Sequence, residues 1–497
     1  MIRPTRKRRP TRNKRTHIIE EIDETLDEAA ADPQSAPVRR TVKPVTTAAA
    51  ATRAIVLVPV LSRARRAARP APIDGSPAPE PPPLHSPKDR LLEATGLAHA
   101  IALDVRIATL VPVPTPRPAM LFGPGKVAEL KETIAAEDIE LIIVDHALTP
   151  VQQRNLETEW RAKVLDRTGL ILEIFGRRAR TREGVLQVEL AHLSYQRSRL
   201  VRSWTHLERQ RGGRGFLGGP GEAQIELDRR MLEERIEAIK RDLAKVSRTR
   251  ALHRSGRGRT ATPVVAIVGY TNAGKSTLFN RLTGASVLAE DQVFATLDPT
   301  MRAVKLDCGR RVIFSDTVGF ISDLPTMLVA AFKATLEEVV EADLIVHVRD
   351  IAHPESEAQR ADVEAILGDL GIDTIAAGNP LIEVWNKIDL LDVSRREDQL
   401  AAAGFAKRDP VLVSAITGEG IAPLCAAVDA RLGEGDAFLD ITVPAGDGRT
   451  LAWLHAEAEV INSASDADGN QTLSLRIPLE NRDRIIGQLK KAGIAAL

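Results

Sequence analysis

The stretch that decides the fold runs from Val264 to Asn280 and reads Val-Val-Ala-Ile-Val-Gly-Tyr-Thr-Asn-Ala-Gly-Lys-Ser-Thr-Leu-Phe-Asn. Its first five residues are apolar and mostly β-branched, which predicts a buried strand. Residues 269–276 match G-x-x-x-x-G-K-[ST], and a helix is expected to follow at once. In that arrangement successive backbone N–H groups bind phosphates, assisted by the positive end of the helix dipole. The stretch therefore predicts a strand, a phosphate-binding loop and a helix.

Two side chains of this loop carry its expected chemistry. Lys275 is expected to contact the β- and γ-phosphates, and the Ser276 hydroxyl is expected to ligate Mg²⁺, which prefers oxygen ligands. An ordinary strand-to-helix turn with a chance lysine is the alternative, and the flanking strand and helix argue against it. The nucleotide-binding residues predicted here are Gly269, Tyr270, Thr271, Asn272, Ala273, Gly274, Lys275, Ser276 and Thr277.

A second segment, Asp316-Thr-Val-Gly319, directly follows an apolar run at 312–314. Because α/β sheets bind ligands at the carboxyl ends of their strands, the Asp316 carboxylate is expected beside the phosphates. There it can hold Mg²⁺ through water. We also predict that Gly319 belongs to the nucleotide site.

Two further segments predict which purine is bound. Asn386-Lys-Ile-Asp389 ends the apolar run 381–385, and the Asp389 carboxylate can accept hydrogen bonds from N1–H and the exocyclic amine of guanine. Adenine offers no such pair of donors. Ser414-Ala415 ends the run 411–413, where a backbone N–H can contact the guanine O6. The order of these segments favours a guanine-specific triphosphatase, with ATP as the weaker alternative; Lys387 is grouped with this base site.

The composition of the 497-residue chain predicts a globular protein. Aromatic residues make up only 3% and hydrophobic residues 43%, so its cores must be built from Ala, Val, Leu and Ile. No apolar run reaches the roughly 20 residues that span a bilayer, and the basic N-terminus lacks the apolar segment of a secretion signal. We expect a cytoplasmic monomer. Cys308 and Cys425 match no metal or redox spacing.

Five parts are expected along the chain: a disordered basic and acidic tail (1–50), an α/β region (51–183), a helical hairpin with a basic linker (184–258), a nucleotide domain (259–435) and a C-terminal α/β region (436–497). Strands of the first α/β region are predicted at 54–61, 105–113, 141–144, 164–166 and 170–172. Gly123-Pro-Gly-Lys126 is glycine-rich but lacks the spacing of a phosphate loop, so a helix start is expected there.

The hairpin is predicted from two amphipathic patterns with apolar residues at alternating spacings of four and three. Between them lies the segment 211–222, which is too rich in glycine to be helical. Its glycines permit close backbone approach, and the guanidinium groups of Arg209, Arg211 and Arg214 can pair with RNA phosphates. The alternative is a flexible connector with a solvated basic face.

The motifs Gly269-Tyr-Thr-Asn-Ala-Gly-Lys-Ser-Thr-Leu-Phe-Asn280, Phe294-Ala-Thr-Leu-Asp-Pro-Thr300, Asp316-Thr-Val-Gly-Phe-Ile321 and the hairpin loop ending Gly-Gly-Pro-Gly-Glu222 together resemble HflX, a family of translational GTPases. The resemblance covers roughly residues 51–497. It implies an α/β fold: a Ras-like P-loop GTPase domain preceded by a small α/β domain with a long antiparallel helical hairpin, and followed by a small C-terminal α/β domain. It also implies binding to the large ribosomal subunit and its rRNA, and splitting of stalled or stressed ribosomes.

The resemblance assigns further roles to single residues. Thr296 matches the switch threonine that senses Mg²⁺ and the γ-phosphate, and Phe294 is carried over as nucleotide-binding. Asn272 resembles the loop asparagine that coordinates K⁺ in related GTPases. Lys275, Thr296 and Gly319 are thus the expected catalytic residues, and Ser276, Thr296 and Asp316 the expected magnesium ligands. Arg349 departs from the family because an apolar residue is expected in its strand.

Phe320 predicts slow hydrolysis in the absence of a partner. Many GTPases place a glutamine just after the equivalent of Gly319 to orient the attacking water, and a phenyl ring can neither donate nor accept that hydrogen bond. Binding to a ribosomal partner could supply the missing orientation of the attacking water. Three classes of function stay open: a GTP-driven ribosome factor, an RNA-remodelling ATPase or GTPase, and a non-catalytic GTP switch that recruits proteins.

Overall fold

The computed structural model describes residues 51–61, 85–210, 220–257, 262–285, 294, 296–297, 299–307, 309–323, 333–374, 380–405, 409–434, 436–466 and 469–494. The predicted disordered tail, 1–50, lies outside the described residues, as does Cys308. Among the described helices, none is long and apolar enough to cross a membrane.

The first α/β region forms a parallel four-stranded sheet in the order β2-β1-β3-β4. Its elements are β1 (Arg53–Leu61), α1 (Pro87–His99), β2 (Asp104–Val113), α2 (Pro124–Ala136), β3 (Leu141–Val144), α3 (Pro150–Trp160), β4 (Lys163–Asp166) and α4 (Arg167–Arg178). Proline at the start of α1, α2 and α3 fixes a helical φ where no N–H is needed. Gly123 caps α2, so the predicted helix start there is confirmed.

The strand predicted at 170–172 is wrong, because these residues lie in α4. Strand β4 ends at Asp166, whose carboxylate accepts a hydrogen bond from the Gly169 N–H at 2.8 Å and so caps the helix. Leu170, Ile171 and Leu172 are all buried. A short helix buried around its circumference produces the same apolar run as a buried strand, so hydrophobicity alone does not distinguish the two.

The hairpin consists of α5 (Arg182–Gln210) and α6 (Pro220–Arg257), which pack against each other. Arg235 of α6 bonds the Glu189 carboxylate of α5 at 2.6 Å. Helix α6 already begins at Pro220, so the non-helical segment ends before the predicted Glu222. Arg211 and Arg214 lie outside the described residues; Arg209 is in the last turn of α5, and its side chain is likewise not described.

The central region forms a six-stranded sheet in the order β10-β9-β8-β5-β7-β6, in which only the β6–β7 pair is antiparallel. Its elements are β5 (Val264–Gly269), α7 (Lys275–Thr283), β6 (Thr300–Lys305), β7 (Arg311–Asp316), α8 (Lys333–Val340), β8 (Leu344–Asp350), α9 (Ser356–Asp369), β9 (Leu381–Asn386), α10 (Val393–Phe405), β10 (Val411–Leu412) and α11 (Ile421–Gly433). The predicted strand, loop and helix at 264–280 is confirmed.

The C-terminal region forms an antiparallel three-stranded sheet in the order β11-β13-β12. Its elements are β11 (Asp436–Val443), α12 (Gly448–Glu457), β12 (Glu459–Ser465), β13 (Gln471–Pro478) and α13 (Leu479–Lys491). Its buried apolar residues form a core of their own. The α/β fold predicted for the chain is therefore observed, although this last sheet is antiparallel throughout.

The four-stranded and six-stranded sheets share one apolar core. A single cluster of buried side chains contains Phe175 from α4 together with Phe294 and Phe320 from the central region. Polar contacts also join the two regions. The His85 ring lies between two carboxylates, with Nδ1 2.6 Å from a Glu355 oxygen and Nε2 2.7 Å from an Asp362 oxygen. The bond to Asp362 raises the pKa of His85 to about 9 against the opposing effect of burial, so the contact is an ion pair at neutral pH.

Candidate nucleotide site

The phosphate loop lies between the end of β5 and the start of α7, and two of its glycines are required by close contacts. Gly269 has a φ of 153°, and a Cβ there would lie 2.2 Å from the Val348 carbonyl oxygen. Gly274 has a φ of 92°, and a Cβ there would lie 2.3 Å from the Asn386 Nδ2 atom. No other residue fits either place. The backbone N–H groups at the start of α7 are thereby directed toward the predicted phosphate position.

Lys275 is buried under this loop, with 6% of its surface exposed. Its Nζ donates to the Tyr270 carbonyl oxygen at 2.7 Å. Burial lowers the pKa of Lys275 to about 8, while the Asp316 charge partly opposes this and Lys387 adds to it. A buried cation of this kind gains strongly from an anionic ligand, because few other charges offset it.

Three oxygen-bearing side chains meet beside Lys275. The Ser276 Oγ lies 2.9 Å from the Thr296 Oγ1, and both hydroxyls donate to the Asp316 Oδ2 at 2.8 Å. Burial raises the pKa of Asp316, and the hydrogen bond from Ser276, the nearby positive charge of Lys275 and the hydrogen bond from Thr296 work against that rise. The second carboxylate oxygen, Oδ1, is buried without a hydrogen-bond partner. An unpaired buried carboxylate oxygen beside two hydroxyls fits a hard divalent cation such as Mg²⁺.

Gly319 and Phe320 lie directly against the phosphate loop. A Cβ at Gly319 would come within 2.8 Å of Thr271 Cγ2 and 2.9 Å of Lys275 Nζ. The Phe320 N–H donates to the Gly269 carbonyl at 3.1 Å, and the Thr271 N–H donates to the Phe320 carbonyl at 2.7 Å. The Phe320 ring is buried in the shared core, so this side chain packs there and offers no hydrogen-bonding group to an attacking water.

Asn386 joins the base side of the site to the phosphate loop. Its Nδ2 donates to the Ala273 carbonyl at 2.8 Å, and its Oδ1 accepts from the Ala415 N–H at 3.0 Å. The loop, the Asn386–Asp389 segment and the Ser414–Ala415 pair are therefore brought together as the sequence predicts. Ser414 is fully buried, and its Oγ accepts from the Thr417 N–H at 3.1 Å.

Two charged residues complete the base side. Lys387 has a φ of 68° and forms an ion pair with Asp350 at 2.7 Å. Asp389 lies in a short 3₁₀ helix, Ile388–Leu390, with its carboxylate exposed to solvent. The exposed Asp389 carboxylate can therefore accept hydrogen bonds from a guanine base that binds at this point.

Three other predicted residues are placed less directly. Asn272 is exposed with a φ of 61°, and Thr277 is partly buried in the first turn of α7. Phe294 has a φ of 60°, but its ring is buried edge-on against Phe175 with centroids 4.8 Å apart. The role predicted for Phe294 in nucleotide binding stays a prediction, and its side chain serves the shared core.

The first α/β region contributes residues of α1 and of the segment before it to this site, which the sequence does not predict. A cavity of about 280 Å³ beside the phosphate loop is lined by Tyr270, Thr271 and Asn272 on one side and by His85, Arg90 and Glu93 on the other. The Tyr270 hydroxyl donates to the Glu93 carboxylate. Residues 177 positions apart meet here, and no periodicity or spacing in the sequence signals such a contact.

The phosphate loop, the Ser276–Thr296–Asp316 cluster and the Asn-Lys-x-Asp segment define a P-loop GTPase. Four protein-family models match the chain: GTP-binding GTPase N-terminal (88–176), GTP-binding GTPase Middle Region (178–257), 50S ribosome-binding GTPase (264–387) and HflX C-terminal domain (400–494). The chain belongs to the HflX family of GTPases.

Curated relatives support this assignment. GTPase HflX of Magnetococcus marinus is 49% identical over 84% of this chain and 94% of its own length, and GTPase HflX of Escherichia coli is 43% identical over 75% and 86%. A solved GTP-binding protein of Sulfolobus solfataricus in complex with GDP overlaps 77% of this chain and 98% of its own, at 22% identity and a TM-score of 0.39. That overlap is too loose for residues to be compared.

Proposed function

We propose that this GTPase binds the large ribosomal subunit and separates stalled or stressed ribosomes into subunits. The observation that carries the proposal is the match of residues 264–387 to a family described as 50S ribosome-binding GTPase. The long hairpin, with its basic and glycine-rich tip in the sequence, supports contact with rRNA through Arg209, Arg211 and Arg214. We further propose the domain boundaries at 183/184, 258/259 and 435/436, a cytoplasmic location and a monomeric state.

Mg²⁺ is the proposed cofactor, held by Ser276, Thr296 and Asp316, and bound there it would offset charge on the β- and γ-phosphates. Lys275 would exchange the Tyr270 carbonyl for phosphate oxygens, bringing its charge to the reacting group. The Gly319 N–H would lie next to the γ-phosphate. Water attacks the γ-phosphorus, the bond to the β–γ bridging oxygen breaks, and GDP and phosphate form with release of a proton to solvent. These groups act in a buried site, where electrostatic interactions are stronger than in water.

K⁺ is a second proposed ion, with Asn272 as its ligand. The support is the exposed, left-handed position of this residue at the tip of the loop, where its amide oxygen is accessible. Replacing K⁺ by Na⁺ in the assay buffer would slow hydrolysis if the ion takes part, and Asn272→Ala would remove that difference.

Sedimentation tests the association. The chain should pellet with large subunits when loaded with a non-hydrolysable GTP analogue, and more weakly with GDP or with small subunits. Added to intact ribosomes with GTP, it should convert the 70S peak of a sucrose gradient into subunit peaks. Equal binding to naked RNA would favour an RNA-remodelling enzyme, and pelleting only with other proteins would favour a recruiting switch.

A further inference from the structure

Arg167 connects the four-stranded sheet to the catalytic side of the nucleotide site. It begins α4, is only 5% exposed, and donates through Nη2 to the Ser322 carbonyl at 2.8 Å and to the Ser322 Oγ at 3.0 Å. Ser322 lies three residues beyond Gly319. A buried guanidinium is costly unless it is paired, and Arg167 is paired with the carboxylates of Glu93 and Asp145.

Glu93 completes a clamp around Ser322. Its carboxylate accepts from the Ser322 Oγ at 3.1 Å and from the Tyr270 hydroxyl, and that hydroxyl in turn accepts from the Ser322 N–H at 2.8 Å. The backbone and side chain of Ser322 are thus both held. Because Tyr270 belongs to the phosphate loop, Arg167 and Glu93 fix the segment after Gly319 relative to that loop.

The residue before Arg167 faces the hairpin. The Asp166 carboxylate accepts from the Tyr195 hydroxyl at 2.5 Å and from the Arg199 guanidinium at 2.6 Å, and both donors belong to α5. Asp166 is 2% exposed. Two consecutive residues at the start of α4 therefore contact, respectively, the hairpin and the segment that follows Gly319.

We propose that Arg167 is a positioning residue for GTP hydrolysis, and that Asp166 transmits the position of the hairpin to it. Phe320 packs in the core and has no group that could orient a water, so hydrolysis depends on where the segment 319–322 is placed. Arg167 holds the Ser322 end of this segment from outside the six-stranded sheet. The hairpin part of the proposal rests on the ribosomal function proposed above, whereas the positioning part does not.

Arg167→Lys tests the positioning, since it keeps the charge beside Glu93 and Asp145 but loses the planar fork. Single-turnover hydrolysis by the protein alone should slow by about five- to tenfold, the size expected for one or two lost charged hydrogen bonds, with GTP and GDP affinities unchanged. Arg310→Lys is the matched control. Arg310 is 6% exposed and pairs with two carboxylates, Asp429 and Asp436, away from the phosphate loop.

The outcomes are distinct. A slower Arg167→Lys beside an unchanged Arg310→Lys supports the proposal. Equal rates for the two variants, or a parallel loss of nucleotide affinity, would show that Arg167 is only structural. A faster Arg167→Lys would show that the contact restrains the segment, and would overturn the proposal as well. This assay contains no ribosomes, so its result does not depend on the ribosomal function.

Tyr195→Phe tests the connection to the hairpin. Removing the hydroxyl should leave the unstimulated rate and the affinity for large subunits unchanged but reduce their stimulation of hydrolysis about threefold or more. Glu189→Gln, which alters a partly exposed α5 side chain paired with Arg235, is the control and should keep full stimulation. Equal stimulation of both variants would overturn the connection; absence of stimulation in the unmodified protein would instead contradict the proposed function.

Discussion

The nucleotide site and the hairpin differ in how their charged groups are paired. In the site, Lys275 and Asp316 are buried; Lys275 is bonded to the Tyr270 carbonyl of its own loop, and Asp316 is bonded to Thr296 from another segment. On α6, ion pairs such as Arg230–Glu234 at 3.0 Å join exposed side chains one turn apart on the same helix. Pairs of that kind contribute little to stability. The site therefore determines its ligand by its internal geometry, whereas the hairpin presents charge that a partner can use.

Lys275→Ala should have the largest effect on the nucleotide side of this comparison. It removes the only side-chain cation of the loop, so triphosphate affinity should fall by about a hundredfold. Titration calorimetry with GTP measures it. Lys240→Ala, the same change on the exposed face of the hairpin, should leave GTP affinity unaltered. Equal losses of GTP affinity in the two variants would contradict the difference between the nucleotide site and the hairpin.

Asp389→Asn should alter base preference. Exchanging the acceptor carboxylate for an amide mismatches guanine at a cost of about 1–3 kcal/mol and should improve xanthosine triphosphate binding. Competition between the two nucleotides measures the switch. Asp392→Asn is the control. It makes the same change at a nearby carboxylate that accepts a hydrogen bond from the Arg395 N–H at 2.8 Å and is not predicted to contact the base. If Asp389→Asn kept its guanine preference, base recognition would lie elsewhere.

The lowered pKa of Lys275 predicts a pH effect on GTP binding. Phosphate favours the protonated amine, so affinity should be constant below about pH 8, where the amine is already charged. Above that value binding requires proton uptake, and affinity should fall toward tenfold per pH unit. Calorimetry at pH 7, 8 and 9 in buffers of different ionisation enthalpy would detect the protons. Affinity that stays constant up to pH 9.5 would contradict the burial of this charge.

Replacing Arg209, Arg211 and Arg214 together by Ala should leave GTP affinity intact and weaken binding to large subunits. Each lost phosphate contact removes counterion release, so the log-log salt slope should fall by roughly one unit per arginine. Sedimentation across a salt series measures it. Arg230→Ala with Arg241→Ala, on the exposed face of α6, is the control. Parallel curves for the tip variant and the unmodified protein would show that these arginines form only a solvated face.

The sequence predicted the contacts that depend on local spacing. The loop at 269–276 and the segments at 316–319, 386–389 and 414–415 occupy one site because each lies at or near a strand end, and strand ends meet at one edge of a sheet. It did not predict the Glu93 and Arg167 contacts to Tyr270 and Ser322, because those pairs depend on how two separate sheets pack.

Arg349 is a further residue whose contacts the sequence does not predict. The resemblance to the family implies an apolar residue in strand β8, and the arginine found there is 5% exposed. Its guanidinium pairs with the carboxylates of Glu383 and Glu357 and lies over the Trp385 ring, 5.6 Å from the centroid. The departure from the family is therefore compensated by residues on a neighbouring strand and the following helix.

We propose that the nucleotide site is complete for binding but needs an external surface for fast hydrolysis. Steady-state GTP turnover of the protein alone, with large subunits, with small subunits and with naked rRNA tests this requirement. We expect a rate of order 10⁻⁴ s⁻¹ for the protein alone and strong acceleration by large subunits only. Fast turnover without any ribosomal component, or equal acceleration by small subunits or free RNA, would contradict it.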